Sequence, residues 1–148
     1  MSIWSSEDLT DHDSAAAVII KDGKLLVMDS IKHNKVGLPG GKKDKGETIG
    51  ECLYRECKEE LGISIDLDET YRHSVISKMY DRDDIRVEVK IHIFIVKNYE
   101  GDIYNIENEL HPFVKFLFPE TIVQVYGDRM MDNIQVVIDD YMSGKLAI

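Results

Sequence analysis

A single mixed α/β domain is the architecture this sequence predicts, and three observations carry it. The length, 148 residues, fits one domain and leaves no room for two ordinary ones. Stretches with strand character and stretches with helical spacing alternate along the chain, with no internal repeat and no low-complexity segment between them. Hydrophobic residues make up 43% of the chain, enough for a core that needs no staples.

Taken in order, Met1 to Asp13 is polar and acidic and lacks the basic start and apolar stretch of a signal peptide. It reads as a loose arm or a short capping segment, residues 1–13, ahead of a domain spanning 14–148. Ser14 to Lys21 is an apolar run with the character of a buried strand, Asp22-Gly23 is a turn signal, and Lys24 to Met28 resumes as the second arm of a hairpin. Ser30 to Gly46, polar, glycine-rich and basic, reads as loop. Thr48 to Leu61 reads as a helix: Thr48 with Glu51 forms a capping-box pattern, and Gly62 stands where a left-handed cap belongs. Strands are expected around Ser74 to Tyr80 and Arg86 to Val96. In the latter, Val87, Val89, Ile91 and Ile93 alternate with polar residues, predicting one buried and one wet face. Asn98 to Pro112 reads as a polar loop and Phe113 to Phe118 as a short strand. Pro119-Glu120 can open a short helix. Met130, Met131, Ile134, Ile138, Tyr141 and Met142 recur at helical spacing and close the domain.

The formal charge of −10 argues against wrapping long nucleic acid, which needs clustered cations. It does not exclude a small phosphorylated ligand, because a divalent metal supplies positive charge at one point. The two cysteines, Cys52 and Cys57, lie on neighbouring turns of the expected helix, which aim them differently and disfavour a bridge. That usage suits a reducing cytoplasm. No apolar run reaches the length of a membrane span.

On a wheel of ~100° per residue, Ile49, Leu53, Cys57 and Leu61 form an apolar stripe, and Glu56, Glu59 and Glu60 crowd at its margin within roughly 100°. Glu51 and Lys58 point to solvent. Like charges at this spacing repel, more so when desolvated. Two readings of the trio are open: an ordinary solvated acidic face, or a carboxylate set offset by a hard divalent cation such as magnesium or manganese. Arg55, four residues before Glu59, can pair with it and fix its orientation.

The residues ahead of the helix separate these readings. The chain runs Gly41-Lys-Lys-Asp-Lys-Gly-Glu47, then seven residues, then Arg55-Glu56-Cys57-Lys58-Glu59-Glu60-Leu61-Gly62-Ile63. This resembles the Nudix box, G-x5-E-x7-R-E-U-x-E-E-x-G-U with U aliphatic, and matches all seven fixed positions: Gly41, Glu47, Arg55, Glu56, Glu59, Glu60 and Gly62. With each residue at ~7%, a random window matches with probability on the order of 10⁻⁸. Leu38-Pro39-Gly40 also fits the family. Cys57 stands at the first aliphatic position, and Val36 occupies a place where the family often has Trp.

The resemblance implies the Nudix fold, a mixed β-sheet sandwiched between α-helices. It further implies an enzyme that cleaves a diphosphate linkage in a small nucleotide substrate with Mg²⁺, or Mn²⁺ in its place. By position, Glu56, Glu59 and Glu60 would be metal ligands, the Gly40 carbonyl a further one, Arg55 the residue that holds a glutamate, and Glu47 a brace for the loop. The general base is left open between Glu56 or Glu59 and the later-loop residues Glu107 and Glu109. A homodimer is a further expectation of the family.

Lys32, His33, Lys35, Lys42, Lys43 and Lys45 form a basic stretch that either greets substrate phosphates or is simply solvated. His33 is the loop residue singled out for ligand contact. Tyr80 either stacks on a base or is an ordinary strand aromatic. In this family dinucleoside polyphosphate hydrolases tend to carry a Tyr near that point and ADP-ribose hydrolases a Pro, which is absent here. Phe113, Phe116, Phe118 and the methionines of the last helix are expected to be core. The ranking that follows puts (deoxy)nucleoside triphosphates and dinucleoside polyphosphates ahead of ADP-ribose and nucleotide sugars. The rivals are a non-catalytic nucleotide-sensing module, which would lose box carboxylates, and RNA decapping, which needs an RNA path.

Overall fold

The computed structural model describes residues 12–148, so the arm expected over the first residues falls almost wholly outside the described residues. His12 and Asp13 are the exceptions, and Asp13 is the informative one. It is fully buried, its carboxylate pairs with His92 Nε2 at 3.0 Å, and its carbonyl accepts from the Lys43 amide. It is a working part of the domain.

The described residues form ten strands and three α-helices, with one 3-10 turn at Leu67–Glu69. The strands are β1 (Ser14–Val18), β2 (Ile20–Lys21), β3 (Lys24–Ser30), β4 (Lys35–Gly37), β5 (Gly40–Lys42), β6 (Ser64–Ile65), β7 (Thr70–Arg82), β8 (Ile85–Val96), β9 (Tyr99–Glu100) and β10 (Val114–Leu117). The helices are α1 (Ile49–Leu61), α2 (Pro119–Tyr126) and α3 (Asp132–Met142). One mixed sheet runs β5-β1-β8-β7, with β1 parallel to β8 and the other pairs antiparallel. A second runs β10-β3-β2 with β4 alongside β3, and β6 pairs with β9.

Period-two geometry explains how the layers stack. Ala15, Ala17 and Ile19 face one way and pack with Ile49, Leu53, Cys57 and Leu61 of α1. Ala16 and Val18 face the other way, into a cluster with Ile122 of α2 and Ile134, Val137 and Ile138 of α3. The sheet is thus sandwiched between helices, as expected. The β2–β3 turn is carried by Asp22 and Gly23 at φ of 53 and 76°, the paired positive values that a two-residue hairpin turn requires.

Four expectations are corrected. Ser30 to Gly46 is not all loop: β4 and β5 lie within it, joined to their neighbours through backbone bonds that a glycine-rich sequence does not advertise. The alternation expected in β8 fails from His92 to Val96, where every residue is buried, because this half lies beside β1 with helices over both faces. Met130 and Met131 precede α3 rather than opening it, and Met130 bridges to Val36. Phe118 and Met142, expected in the core, are exposed, Phe118 with the Lys24 ammonium over its ring.

Candidate functional site

The start of α1 is built by local chemistry. The Thr48 hydroxyl accepts from the Glu51 amide at 3.1 Å, and the Glu51 carboxylate accepts from the Thr48 amide at 2.9 Å. Gly62, at φ 74°, closes the other end by donating its N–H to the Lys58 carbonyl. Between these caps the acidic trio is graded by burial: Glu60 is 5% exposed, Glu56 half-buried, and Glu59 exposed.

Arg55 organises the helix entrance. Its Nε and Nη2 donate to both carboxylate oxygens of Glu47 at 2.7 and 3.0 Å. Nη1 reaches Glu56 at 3.0 Å and Glu59 at 3.2 Å, and Nη2 also reaches the Lys42 carbonyl at 3.1 Å. The Asp44 carboxylate lies 3.3 Å from Nε, a partner the motif did not reveal. Only a planar fork with five donors serves so many acceptors. The hydrogen bond from Arg55 holds the Glu47 carboxyl below its ordinary range, against the opposing effect of burial. Glu56 moves the other way: burial pushes it up, Arg55 opposes, and the nearby charges of Glu59 and Glu107 add to the rise.

Two glycines permit close approach here, Gly41 of the Glu56 carboxylate and Gly40 of the β1 backbone. A Cβ on Gly41 would stand 2.5 Å from Glu56 Oε1. At Gly40, φ is 150°, and a Cβ would stand 2.0 Å from the Ala15 carbonyl oxygen. The Gly40 amide donates to Glu60 Oε1 at 2.7 Å, so this turn and the end of α1 hold each other.

Glu60 is the most perturbed of the three. Burial pushes its carboxyl up to about 9, with Glu56, Glu107 and Glu59 reinforcing the rise and the Gly40 amide opposing it. Its other oxygen, Oε2, lies 3.5 Å from His111 Nε2. Glu60, Glu107 and His111 each bring a ligand atom within 4.8 Å of the others. A desolvated carboxylate beside further carboxylates is an arrangement that a divalent cation satisfies and that water does not. The donor set fits such an ion.

Beside this cluster lies a cleft of about 340 Å³. Glu60, Gly40 and Gly41 line it, Leu38, Met28, Ile91 and Met131 supply apolar wall, and Lys32 and Lys42 bring positive charge to it, with His33 beside them. Of the residues expected in the site, His33 lines this cleft and an adjoining depression that also holds Tyr80. Tyr80 is 45% exposed and stands apart from the acidic cluster. Glu107 joins Glu60, whereas Glu109 is exposed on another depression. Lys43 is buried, with its ammonium donating to the Asp44 carbonyl, and does not greet ligand. The residue that sequence reasoning missed is His111. Its only signal was a spacing of four from Glu107, inside a stretch with no other periodicity.

Loop, helix and cleft have the arrangement expected of a Nudix domain, and the sequence model of the NUDIX domain matches residues 11–131. The chain belongs to the NUDIX family. It is 35% identical over 85 residues to "Nudix hydrolase 3" of Caenorhabditis elegans, a match covering 49% of this chain and 35% of that protein. The chain therefore spans about a third of the length of that curated relative. Among solved structures, it resembles a MutT NUDIX hydrolase from Burkholderia pseudomallei (TM-score 0.72, 18% identity, 88% of this chain and 98% of the other). It also resembles a NUDIX hydrolase from Nitrosomonas europaea (TM-score 0.67, 19% identity, 93% of each). A third is an Ap4A hydrolase from C. elegans (TM-score 0.59, 19% identity, 89% of this chain and 96% of the other). At these identities the structural likeness speaks for the fold.

Proposed function

We propose that this protein is a metal-dependent pyrophosphohydrolase that cleaves a phosphoric anhydride bond in a small nucleoside diphosphate-linked substrate. The observation that carries this reading is the buried, charge-disfavoured Glu60 lining a cleft whose other walls are apolar and basic. Glu56, Glu59 and Glu60, with the Gly40 carbonyl, would hold Mg²⁺ or Mn²⁺. Such an ion neutralises phosphoryl charge and lowers the pKa of a bound water.

The chain's own residues do the rest. Arg55 fixes Glu56 and Glu59 and is itself braced by Glu47 and Asp44. Lys32 and Lys42 offer positive charge and His33 a hydrogen-bonding ring to substrate phosphates, while Leu38, Met28 and Ile91 give a nucleobase an apolar wall. Either a box glutamate, Glu56 or Glu59, or Glu107 takes the proton of the attacking water. Glu107 is favoured over Glu109 because it faces Glu60.

(Deoxy)nucleoside triphosphates and dinucleoside polyphosphates head the substrate ranking, in keeping with the names of the MutT and Ap4A hydrolase neighbours. Residues 14–148 are taken as one hydrolase domain, acting in a reducing cytoplasm and as a homodimer. No helix among the described residues is long and apolar enough to cross a membrane. Burial pushes the Cys52 thiol up to about 12 and the Cys57 thiol higher still, so both behave as packing groups.

The test is a substrate panel with released phosphate and pyrophosphate quantified, in magnesium and then in manganese. Glu59→Gln and Glu60→Gln should fold normally and lose at least about a hundred-fold in turnover, the scale of losing a major transition-state charge contact. Normal turnover in both variants would remove the metal assignment. Binding of nucleotides without any product would instead make the chain a sensing module.

A further inference from the structure

The segment from Tyr104 to His111 is tied to the end of α1. The Tyr104 amide donates to the Leu61 carbonyl at 2.9 Å and the Ile106 amide to the Glu60 carbonyl at 3.2 Å. A helix-like turn follows, in which the His111 amide donates to the Glu107 carbonyl at 3.0 Å. That turn sets the side chains of Glu107 and His111 on one face, where both meet Glu60.

The orientation of the His111 ring is fixed from behind. Its Nδ1 lies 2.7 Å from the Asp29 carbonyl oxygen. A carbonyl only accepts, so Nδ1 carries the proton, and in the neutral ring Nε2 is left as a bare lone pair. Nε2 is the atom that faces Glu60 Oε2 at 3.5 Å. A lone pair and a carboxylate oxygen repel each other unless a proton or a metal ion lies between them. A backbone carbonyl on the far ring nitrogen is also how metal-bound histidines are held in place.

We infer that His111 Nε2 is a nitrogen donor to the metal site, making with Glu60 and Glu107 a mixed set that favours divalent first-row transition ions over magnesium. Imidazole suits such ions, whereas magnesium demands oxygen ligands and keeps much of its water. The inference rests on the reading above that Glu60 helps to hold a divalent ion; it adds the donor and the choice of ion.

Pulsed electron paramagnetic resonance of Mn²⁺ bound to the full chain should show coupling to a nitrogen. His111→Asn should abolish it, because the shorter amide can still donate to Asp29 but has nothing at the Nε2 position. His33→Asn should retain it. In calorimetric titrations, His111→Asn should weaken Co²⁺ binding on the order of ten-fold or more and move Mg²⁺ by less than about two-fold. Ion binding with no nitrogen coupling and an unchanged Co²⁺-to-Mg²⁺ ratio would overturn the inference, leave the carboxylate site standing and assign a proton to the gap. Absence of binding by all three ions would remove the metal reading and the inference together. Should His111→Asn not fold, the wild-type spectrum alone decides.

Discussion

Glu60 meets two opposed demands, and its environment shows which prevails in each state. Burial disfavours its charge, so the metal-free folded chain holds the proton up to about pH 9, whereas the unfolded chain releases it near 4.5. The group thus contributes stability that is complete below the unfolded value and is lost as pH rises toward the folded one. A glutamine keeps the acceptor for the Gly40 amide and removes the charge. Metal-free Glu60→Gln should accordingly melt higher than wild type at pH 8, by roughly 3 °C or more. The difference should shrink toward pH 5. Scanning fluorimetry in chelator checks this, and an equal or lower midpoint at pH 8 would show that burial is not what disfavours the charge. Loss of stability for the sake of a poised functional group is a familiar exchange.

At the scale of elements, α1 and the turn before it form one unit. Thr48 and Gly62 set the helix ends, Gly41 lets Glu56 lie against the strand, and Arg55 couples Glu47, Glu56, Glu59 and the Lys42 carbonyl. Lysine preserves the charge at position 55 but not the fork. Arg55→Lys should therefore cost roughly 10–100-fold in turnover or metal affinity, the usual range for groups that orient metal ligands. Steady-state kinetics with ion titration measures it. Unchanged values would reduce Arg55 to a surface ion pair.

At the scale of the whole molecule, each face of the sheet carries its own packed layer, and the ligand-bearing helix belongs to one of them. Leu53 packs with Ala15, Ala17 and Phe94 on the α1 side, and Ile134 packs with Val18, Ile93 and Ile122 on the other. Both side chains are fully buried. Leu53→Ala and Ile134→Ala should each cost about 2–5 kcal/mol in urea unfolding. Only Leu53→Ala should also weaken ion binding, because its cavity lies under the ligand-bearing helix. Equal weakening by both would mean that the sheet transmits packing changes across its thickness.

How much of this was legible beforehand follows the range of the forces involved. Local rules place the hairpin at Asp22-Gly23, the caps at Thr48 and Gly62 and the amphipathic α1, since turn dihedrals and helix caps are satisfied within a few residues. β5 escaped notice because its partner β1 is distant in sequence, and β4, though it pairs with the adjacent β3, because so short a strand carries no readable period. His92 to Val96 lost its expected wet face because burial of a strand depends on what covers it.

The sequence by itself determined the acidic margin of α1, its arginine and the glycine turn beside it, for these are set by helical spacing and fixed offsets. Only the tertiary structure decided which loop residues join them. Glu107 and His111 reach Glu60, and Glu109 does not, because amides of Tyr104 and Ile106 lock that stretch onto the last carbonyls of α1. A polar segment without periodicity has its register set by such long-range hydrogen bonds and by nothing readable within it.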